Sequence, residues 1–298
     1  MLQTHYGEFA ALLVAFFWSI TALSFEAASR KVGSLSVNII RLVIGLAFLT
    51  LLNIITRGLL LPTDASLHNW IWLSVSGLIG FVMGDFFLFK SYTIIGSWFA
   101  MLIMTLAPPM AAVFGYFMLD EHLGPLSIAG IILTMAGIVI AMFRRDKKNR
   151  KVTVSKPVIG LLYAFGGALG QALGIVFSKY GMRQYNPFAA TQIRIIVGII
   201  GFIILITVLG KWKPVRAAIT DRKAMVPITI GSFFGPFLGV SFSLLAIQYT
   251  STGVASTIMA LVPIFIIPPS IWLFKHRVNT QEIIGTIISL GGVALFFL

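Results

Sequence analysis

The sequence predicts an all-α polytopic membrane protein of ten transmembrane helices, arranged as two inverted five-helix repeats. Three observations carry this prediction. First, 58% of the 298 residues are hydrophobic and only 10% are charged, with mean hydropathy +0.98. That much apolar surface has no place in one soluble core. Second, the apolar residues fall in uninterrupted spans of roughly 20, the length that crosses a bilayer core. Third, the chain is written twice. Residues 7–46 lie on 160–199 without a gap at an offset of 153, placing Gly7 on Gly160, Ala15 on Ala168, Arg30 on Arg183, Arg41 on Arg194 and Gly45 on Gly198. Further along, an offset of 155 aligns Gly80 with Gly235, Gly84 with Gly239, Met104 with Met259, Pro108 with Pro263 and Gly137 with Gly292.

The spans read, in order, as 8–27, 35–56, 70–89, 97–119, 124–143, 157–178, 187–209, 225–246, 253–274 and 279–297. The first half is then 1–143, the second 157–298, and residues 144–156 form a basic linker loop. Ten spans fill almost the whole chain and leave no soluble catalytic domain. The first span is neither preceded by a basic region nor followed by a convincing cleavage site, so it reads as a retained helix. Five spans per half is an odd number, which turns the second copy upside-down relative to the first. Inverted repeats of that kind build alternating-access carriers, with the solute site where the halves meet. The absence of cysteine excludes disulfides and thiol chemistry.

A net charge of +13 invites a nucleic-acid reading, and the placement of the charge rejects it. Followed from span to span, one face collects Arg30, Lys31, Lys90, the run from Arg144 to Lys156, then Lys211, Lys213, Arg216, Arg222, Lys223, Lys275 and Arg277. The other face holds Arg57, Lys179 and Arg183. Such segregation is the positive-inside signal, and these residues would also meet anionic headgroups. A nucleic-acid footprint would be a basic surface on a folded domain, interleaved with base-stacking side chains. The 144–156 and 211–223 loops are therefore expected in the cytoplasm of a bacterial-type plasma (inner) membrane, with both termini outside.

These residues resemble a family. Two five-helix halves, Trp18 in the first span, an arginine early in the second span of each half (Arg41, Arg194), and the fourth-span ends "LIMTLAPPMAAVFGYFMLDEHL" (102–123) and "TIMALVPIFIIPPSIWLFKHRV" (257–278) are similar to the EamA-type permeases of the drug/metabolite transporter (DMT) superfamily. The resemblance spans nearly the full length. It implies a basket-like carrier of small metabolites, often an exporter, with a cavity between the halves lined by spans 1, 3, 4, 6, 8 and 9. The second copy departs in one place, carrying Lys275-His276 where the first has Asp120-Glu121.

Glycines recur every fourth position at Gly80 and Gly84 in span 3, at Gly166, Gly170 and Gly174 in span 6, and at Gly231, Gly235 and Gly239 in span 8. In lipid, helices associate by close van der Waals contact, and small residues at this spacing permit it. Static packing is the first reading, and a smooth surface that slides during access switching the second. Pro108-Pro109, Pro236, Pro263 and Pro268-Pro269 fall inside spans and should kink helices or free carbonyls toward the interior.

Ionisable residues inside spans are costly in lipid and tend to be paired or functional. Glu26, Arg41, Asp85 and Lys90 lie toward the basic face, and Glu8, Asp120, Glu121, Lys179, Arg183 and Arg194 toward the other. Lys90 and Arg183 read as snorkelling side chains. Arg41 and Arg194 sit about two turns inside their helices, roughly 9–10 Å deep, where anchoring and gating are equally open readings. Asp85 has no same-helix cation nearer than Lys90, so it either pairs across to Arg41 or takes up a proton. The expected gates are Glu26, Arg41 and Asp85 on the basic side, and Arg194 with Glu8 or Glu121 on the other.

Candidate solute contacts are Trp18, Ser19 and Thr21, Phe87, Met101 and Thr105 in the first half, and Gln171, Ser241, Ser243, Ser256 and Thr257 in the second. Gln171 is the equivalent of Trp18, and the two should face each other across the pseudo-two-fold. For any single Ser or Thr, a hydroxyl bonded back to its own helix is the commoner case. Such a lining suits a small, partly apolar solute such as an amino acid, and no basic cluster is expected at mid-depth for phosphate-rich cargo. The four histidines (His5, His68, His122, His276) fall at span ends or in loops without metal spacing, and no Walker A pattern occurs. A secondary transporter is therefore favoured over a membrane-embedded enzyme and over a passive channel or scaffold. No cofactor, metal or nucleic acid is expected. The expected partners are a small-molecule substrate, membrane lipid and a coupling proton, for a monomer or weak dimer.

Overall fold

A computed structural model describes residues 6–120, 124–145, 152–154, 156–250, 252–266, 269 and 279–295. Helix α1 (Tyr6–Val32) and α2 (Ser34–Arg57) form the first hairpin. The next rod joins α3 (Leu67–Gly77), a π-helical segment (Leu78–Asp85) and α4 (Phe86–Ile95). Then come α5 (Ser97–Met104), α6 (Ala107–Leu119) and α7 (Pro125–Met142). The second half repeats the order with α8 (Val158–Met182) and α9 (Pro187–Val208). It continues through α10 (Trp212–Thr220), then a rod of α11 (Arg222–Ser232), a π-helical segment (Phe233–Gly239) and α12 (Val240–Tyr249). Helix α13 (Thr252–Met259), helical residues 262–266 and α14 (Thr280–Ala294) follow.

Seven of these rods are long and apolar enough to cross a membrane: those starting at Tyr6, Ser34, Leu67, Ser97, Val158, Pro187 and Arg222. Their outer surfaces expose Leu12, Phe16, Val43, Leu51 and Ile204. In water such a belt would be a liability, whereas against acyl chains it costs nothing. The protein is an integral membrane protein. Two details depart from the expected pattern. A short antiparallel β-pair, Phe143–Arg145 with Val152–Val154, starts at the last residue of the fifth expected span and runs into the stretch read as a linker loop. The loop after span 7 carries the short helix α10, whose Trp212 Nε1 donates to Thr207 Oγ1 at 3.1 Å.

The two halves meet as equivalents. Thr134 Oγ1 donates to the Ser289 carbonyl and Ser289 Oγ to the Thr134 carbonyl, each at 3.3 Å, and these residues are 155 apart. The contact runs antiparallel, because Gly137 lies against the Gly285 carbonyl and Gly292 against that of Gly130. A second pair of equivalents, α2 and α9, is bridged by Asn53 Nδ2 donating to Gln192 Oε1 at 2.8 Å.

The glycine spacings become two seams. Along the first, α8 crosses the α3–α4 rod: a β-carbon at Gly170 would lie 2.5 Å from Gly84 Cα, and one at Gly174 3.1 Å from Gly80 Cα. Along the second, Gly231, Gly235 and Gly239 receive Phe25, Thr21 and Trp18 of α1. Both seams are close-packed, as small residues permit.

Candidate functional site

Four interruptions of helical regularity come in two equivalent pairs. The π-helical segments begin at Leu78 and Phe233, 155 residues apart. The rod of α5 and α6 breaks at Thr105–Leu106, and the corresponding rod of the second half breaks at residues 260–261, again at an offset of 155. Proline explains three of the four. Pro108 and Pro263 have no N–H for the carbonyl four residues back, and Pro236 sits inside the second π segment. The π segment of the first half has no proline. All four interruptions supply lining to one central cavity: Phe81 and Asp85, Pro236, Thr105 and Pro108, and Ala260 and Pro263. Its volume of about 100 Å³ gives room for several water molecules or a compact solute.

Among the described residues, three charged side chains line this cavity: Arg41, Asp85 and Arg194. Arg41 Nη2 donates to Asp85 Oδ2 at 2.6 Å, and Arg41 Nε donates to Asn38 Oδ1 at 3.1 Å. Asn38 in turn donates to the backbone carbonyls of Ser34 (3.1 Å) and Asp85 (3.3 Å), which ties α2 to the π segment. The Arg41 guanidinium lies 4.8 Å from the Phe89 ring centre and 5.6 Å from that of Phe81. Arg194 approaches the same Phe81 ring at 4.8 Å. It is 4% exposed, its Nε has no hydrogen-bond partner, and it enters no ion pair among the described residues. The two equivalent arginines therefore converge on one aromatic ring, with one carboxylate between them. The expectation that no basic cluster lies at mid-depth is corrected here. Reading depth along each helix separately put these arginines near opposite faces, and the cavity joins them.

Of the expected solute contacts, Trp18, Thr21, Met101, Thr105, Gln171, Ser243 and Ser256 line the cavity. Trp18 and Gln171 thus share it across the interface between halves. Three hydroxyls bond back to their own helix: Thr21 to the Phe17 carbonyl (2.8 Å), Thr105 to Leu102 (2.7 Å) and Ser243 to Val240 (2.7 Å). Ser256 Oγ is buried without a partner among the described residues.

A family model described as the EamA-like transporter family matches residues 5–143 and again 158–298. The chain belongs to the EamA-like transporter family. An uncharacterized transporter of Clostridium kluyveri is 28% identical over 179 residues, 60% of this chain and 56% of that protein. One from Archaeoglobus fulgidus is 29% identical over 141 residues, 46% of this chain and 45% of that protein. The uncharacterized inner membrane transporter YhbE of Escherichia coli is 24% identical over 140 residues, 47% and 43%. The chain's matches span about half the length of these curated relatives. A solved crystal structure superposes with a TM-score of 0.64 at 17% identity, over 97% of this chain and 95% of that one, which supports the fold alone.

In this EamA-like chain, three expected contacts lie away from the cavity. Ser19 donates to the Phe16 carbonyl at 2.6 Å, Phe87 packs on Gly166 and Tyr163, and Ser241 is buried elsewhere. Glu121 and the Thr257 side chain lie outside the described residues. The expected gates are corrected as well. Glu26 does not join Arg41 and Asp85: it pairs with Arg30 at 2.8 Å, and its Oε2 accepts from the Ser97 N–H at 2.8 Å. It thereby caps α5 at the turn where Gly96 takes φ 83°. Arg194 does not pair with Glu8, which accepts from Thr250 Oγ1 at 3.2 Å near the far end of α1. Axial position alone grouped these residues; the direction each side chain takes around its helix separates them. The aromatic wall of Phe25, Phe81, Phe89 and Tyr92 also lines the cavity and was not singled out in the sequence. Its only signal was a density of aromatic residues close to Arg41 and Asp85. Among the described residues no group of three His, Cys, Asp or Glu gathers to hold a metal.

Proposed function

We propose that this protein is a secondary membrane transporter that exports small metabolites such as amino acids by alternating access between two inverted repeats. The observation that carries the reading is the convergence of four paired helix interruptions on one cavity between the halves. Irregular backbone is tolerated at membrane depth where it lines such a cavity, and broken helices are where carriers hold their solutes. The antiparallel meeting of α7 and α14 through Thr134 and Ser289 supports the inverted relation of residues 1–143 and 157–298. With α7, the helix starting at Thr252 and α14 added to the seven long rods, the chain makes ten crossings.

In this reading the basic loops face the cytoplasm of the inner membrane. The two glycine seams let α1 and α8 shift against the rods they cross, and the Arg41–Asp85 pair makes and breaks as the cavity changes sides. A proton on Asp85 is the candidate coupling ion. The test is counterflow in proteoliposomes. Vesicles preloaded with one unlabelled amino acid should transiently accumulate its labelled form, for at least one member of a complete amino-acid panel. Equal rates with and without preload, for every member, would contradict carrier-mediated exchange.

A further inference from the structure

We propose that Arg194 is an anion subsite of the central cavity, and that the transported solute presents a carboxylate to it. The inference rests on reading this cavity as the transport site. Among the described residues the charges in the cavity do not balance: Arg41 and Arg194 share the carboxylate of Asp85. That carboxylate is engaged with Arg41 at 2.6 Å, and Arg41 is further held by Asn38. Arg194 is left 4% exposed, with Nε unpartnered and in no ion pair among the described residues. A buried guanidinium that must share another arginine's counter-charge is costly, and arginine stays charged at any physiological pH. A negative charge brought by the solute would complete it.

The surroundings of Arg194 are built for that purpose. Its guanidinium lies in a notch of glycines from two helices. A β-carbon at Gly80 would lie 3.1 Å from its Nη2, and one at Gly174 3.6 Å. Gly77 lets the Arg194 backbone itself approach, since a β-carbon there would meet its carbonyl oxygen at 2.5 Å. The ring of Phe81 backs the guanidinium at 4.8 Å. The fork of a fixed guanidinium matches a carboxylate bidentately. One unmatched positive charge calls for one negative charge. A carboxylate fits, a dianionic phosphate would overcompensate, and a purely cationic solute would be repelled. The apolar remainder of the cavity, with Trp18, Phe25 and Met259, receives the rest of the solute.

The experiment uses the purified full chain in detergent, with ligand-dependent thermal stabilisation read for each of the twenty L-amino acids. Each responder is compared with its methyl ester and its decarboxylated amine. At least one amino acid should stabilise the protein while its ester and amine do not. Arg194→Gln should weaken that response at least about tenfold, the loss of a hydrogen bond to a charged group, and Arg194→Lys should retain part of it. Arg194→Gln without ligand should melt no lower than the native chain, because it removes the excess positive charge of the cavity. A response equal for acid and ester, an undiminished response in Arg194→Gln, or no response to any carboxylate overturns the subsite. The cavity reading is checked separately with Gln171→Trp, which fills the cavity. An amine response abolished by Gln171→Trp overturns the carboxylate subsite and leaves the transport cavity standing. A carboxylate response indifferent to Gln171→Trp overturns the cavity as the binding site.

Discussion

Asp85 accepts from Arg41 at 2.6 Å, while Arg194, the equivalent of Arg41 in the second half, faces the same Phe81 ring and enters no ion pair among the described residues. Sequence symmetry made the two arginines, and one unsymmetrical carboxylate distinguishes them: the position equivalent to Asp85 is Val240, which also lines the cavity. A carrier whose halves exchange roles gains from such a device, because the ion pair can form in one arrangement and not in its mirror image.

Asp85→Asn should therefore act on both stability and access. It leaves Arg41 buried without its partner, a loss of about 3–5 kcal/mol, and should bias the carrier toward opening at the basic face. Paired with Arg41→Gln, much of the stability should return, since both charges are then gone. Thermal melts of the single and double variants give the coupling directly. Additive losses would show that the pair contributes no coupling energy.

Trp18 and Gln171 are equivalents that share the cavity, and their substitutions should differ. Gln171 is half-buried and makes no hydrogen bond among the described residues. Gln171→Ala should alter transport with a change in stability below about 0.5 kcal/mol. Trp18 packs on Gly239 and against buried apolar side chains of the core, so Trp18→Ala should lower transport and also cost about 3 kcal/mol. Melting curves beside counterflow rates separate the two effects.

The α8 seam makes an ordered prediction. A β-carbon at Gly170 would lie 2.5 Å from Gly84 Cα, whereas one at Gly84 would lie 3.2 Å from Gly170 Cα. Gly170→Ala should thus destabilise more than Gly84→Ala, by about 1–3 kcal/mol of overpacking. Equal or reversed melting temperatures would show that the helices separate more easily than the contact implies.

Much of this was legible in the sequence because it is written in backbone-level residues. The internal repeat, the glycine spacings and Pro108, Pro236 and Pro263 each left a mark that the structure uses. The π segment at Leu78–Asp85 left none, since no proline announces it. The gates were harder for a physical reason. In a membrane helix both the lipid face and the core face are apolar, so the pattern that fixes the direction of a side chain in a soluble helix fades. Position along its own helix was readable for each of Glu26, Arg41 and Arg194; which side chains each reaches across the bundle was not. Phe87 was chosen for its position in span 3, and Phe81, two turns earlier, is the residue that holds both arginines.

Asp221 lies in the connection between α10 and α11, where Lys31 Nζ, in the last turn of α1, donates to its Oδ1 at 2.6 Å and holds its carboxyl below the usual carboxylate range. The same oxygen caps α11 by accepting from the Lys223 and Ala224 N–H groups. Because the folded value lies below the unfolded one, the stabilisation is present at neutral pH. It is lost as pH falls below about 4 and through the folded value. The difference in melting temperature between the native chain and Lys31→Met should be small but measurable at pH 7 and vanish in strong acid. A difference that grows on acidification would contradict the pair.

The chain contains no cysteine, so one introduced at the cavity reports without background. Gln171→Cys, reconstituted in vesicles of known orientation, should react with a membrane-impermeant thiol reagent applied from either side alone, while the vesicles hold an ion gradient. That result is what one cavity opening alternately to two faces requires. Reaction from a single side only, or from both sides with the gradient collapsing, would contradict alternating access.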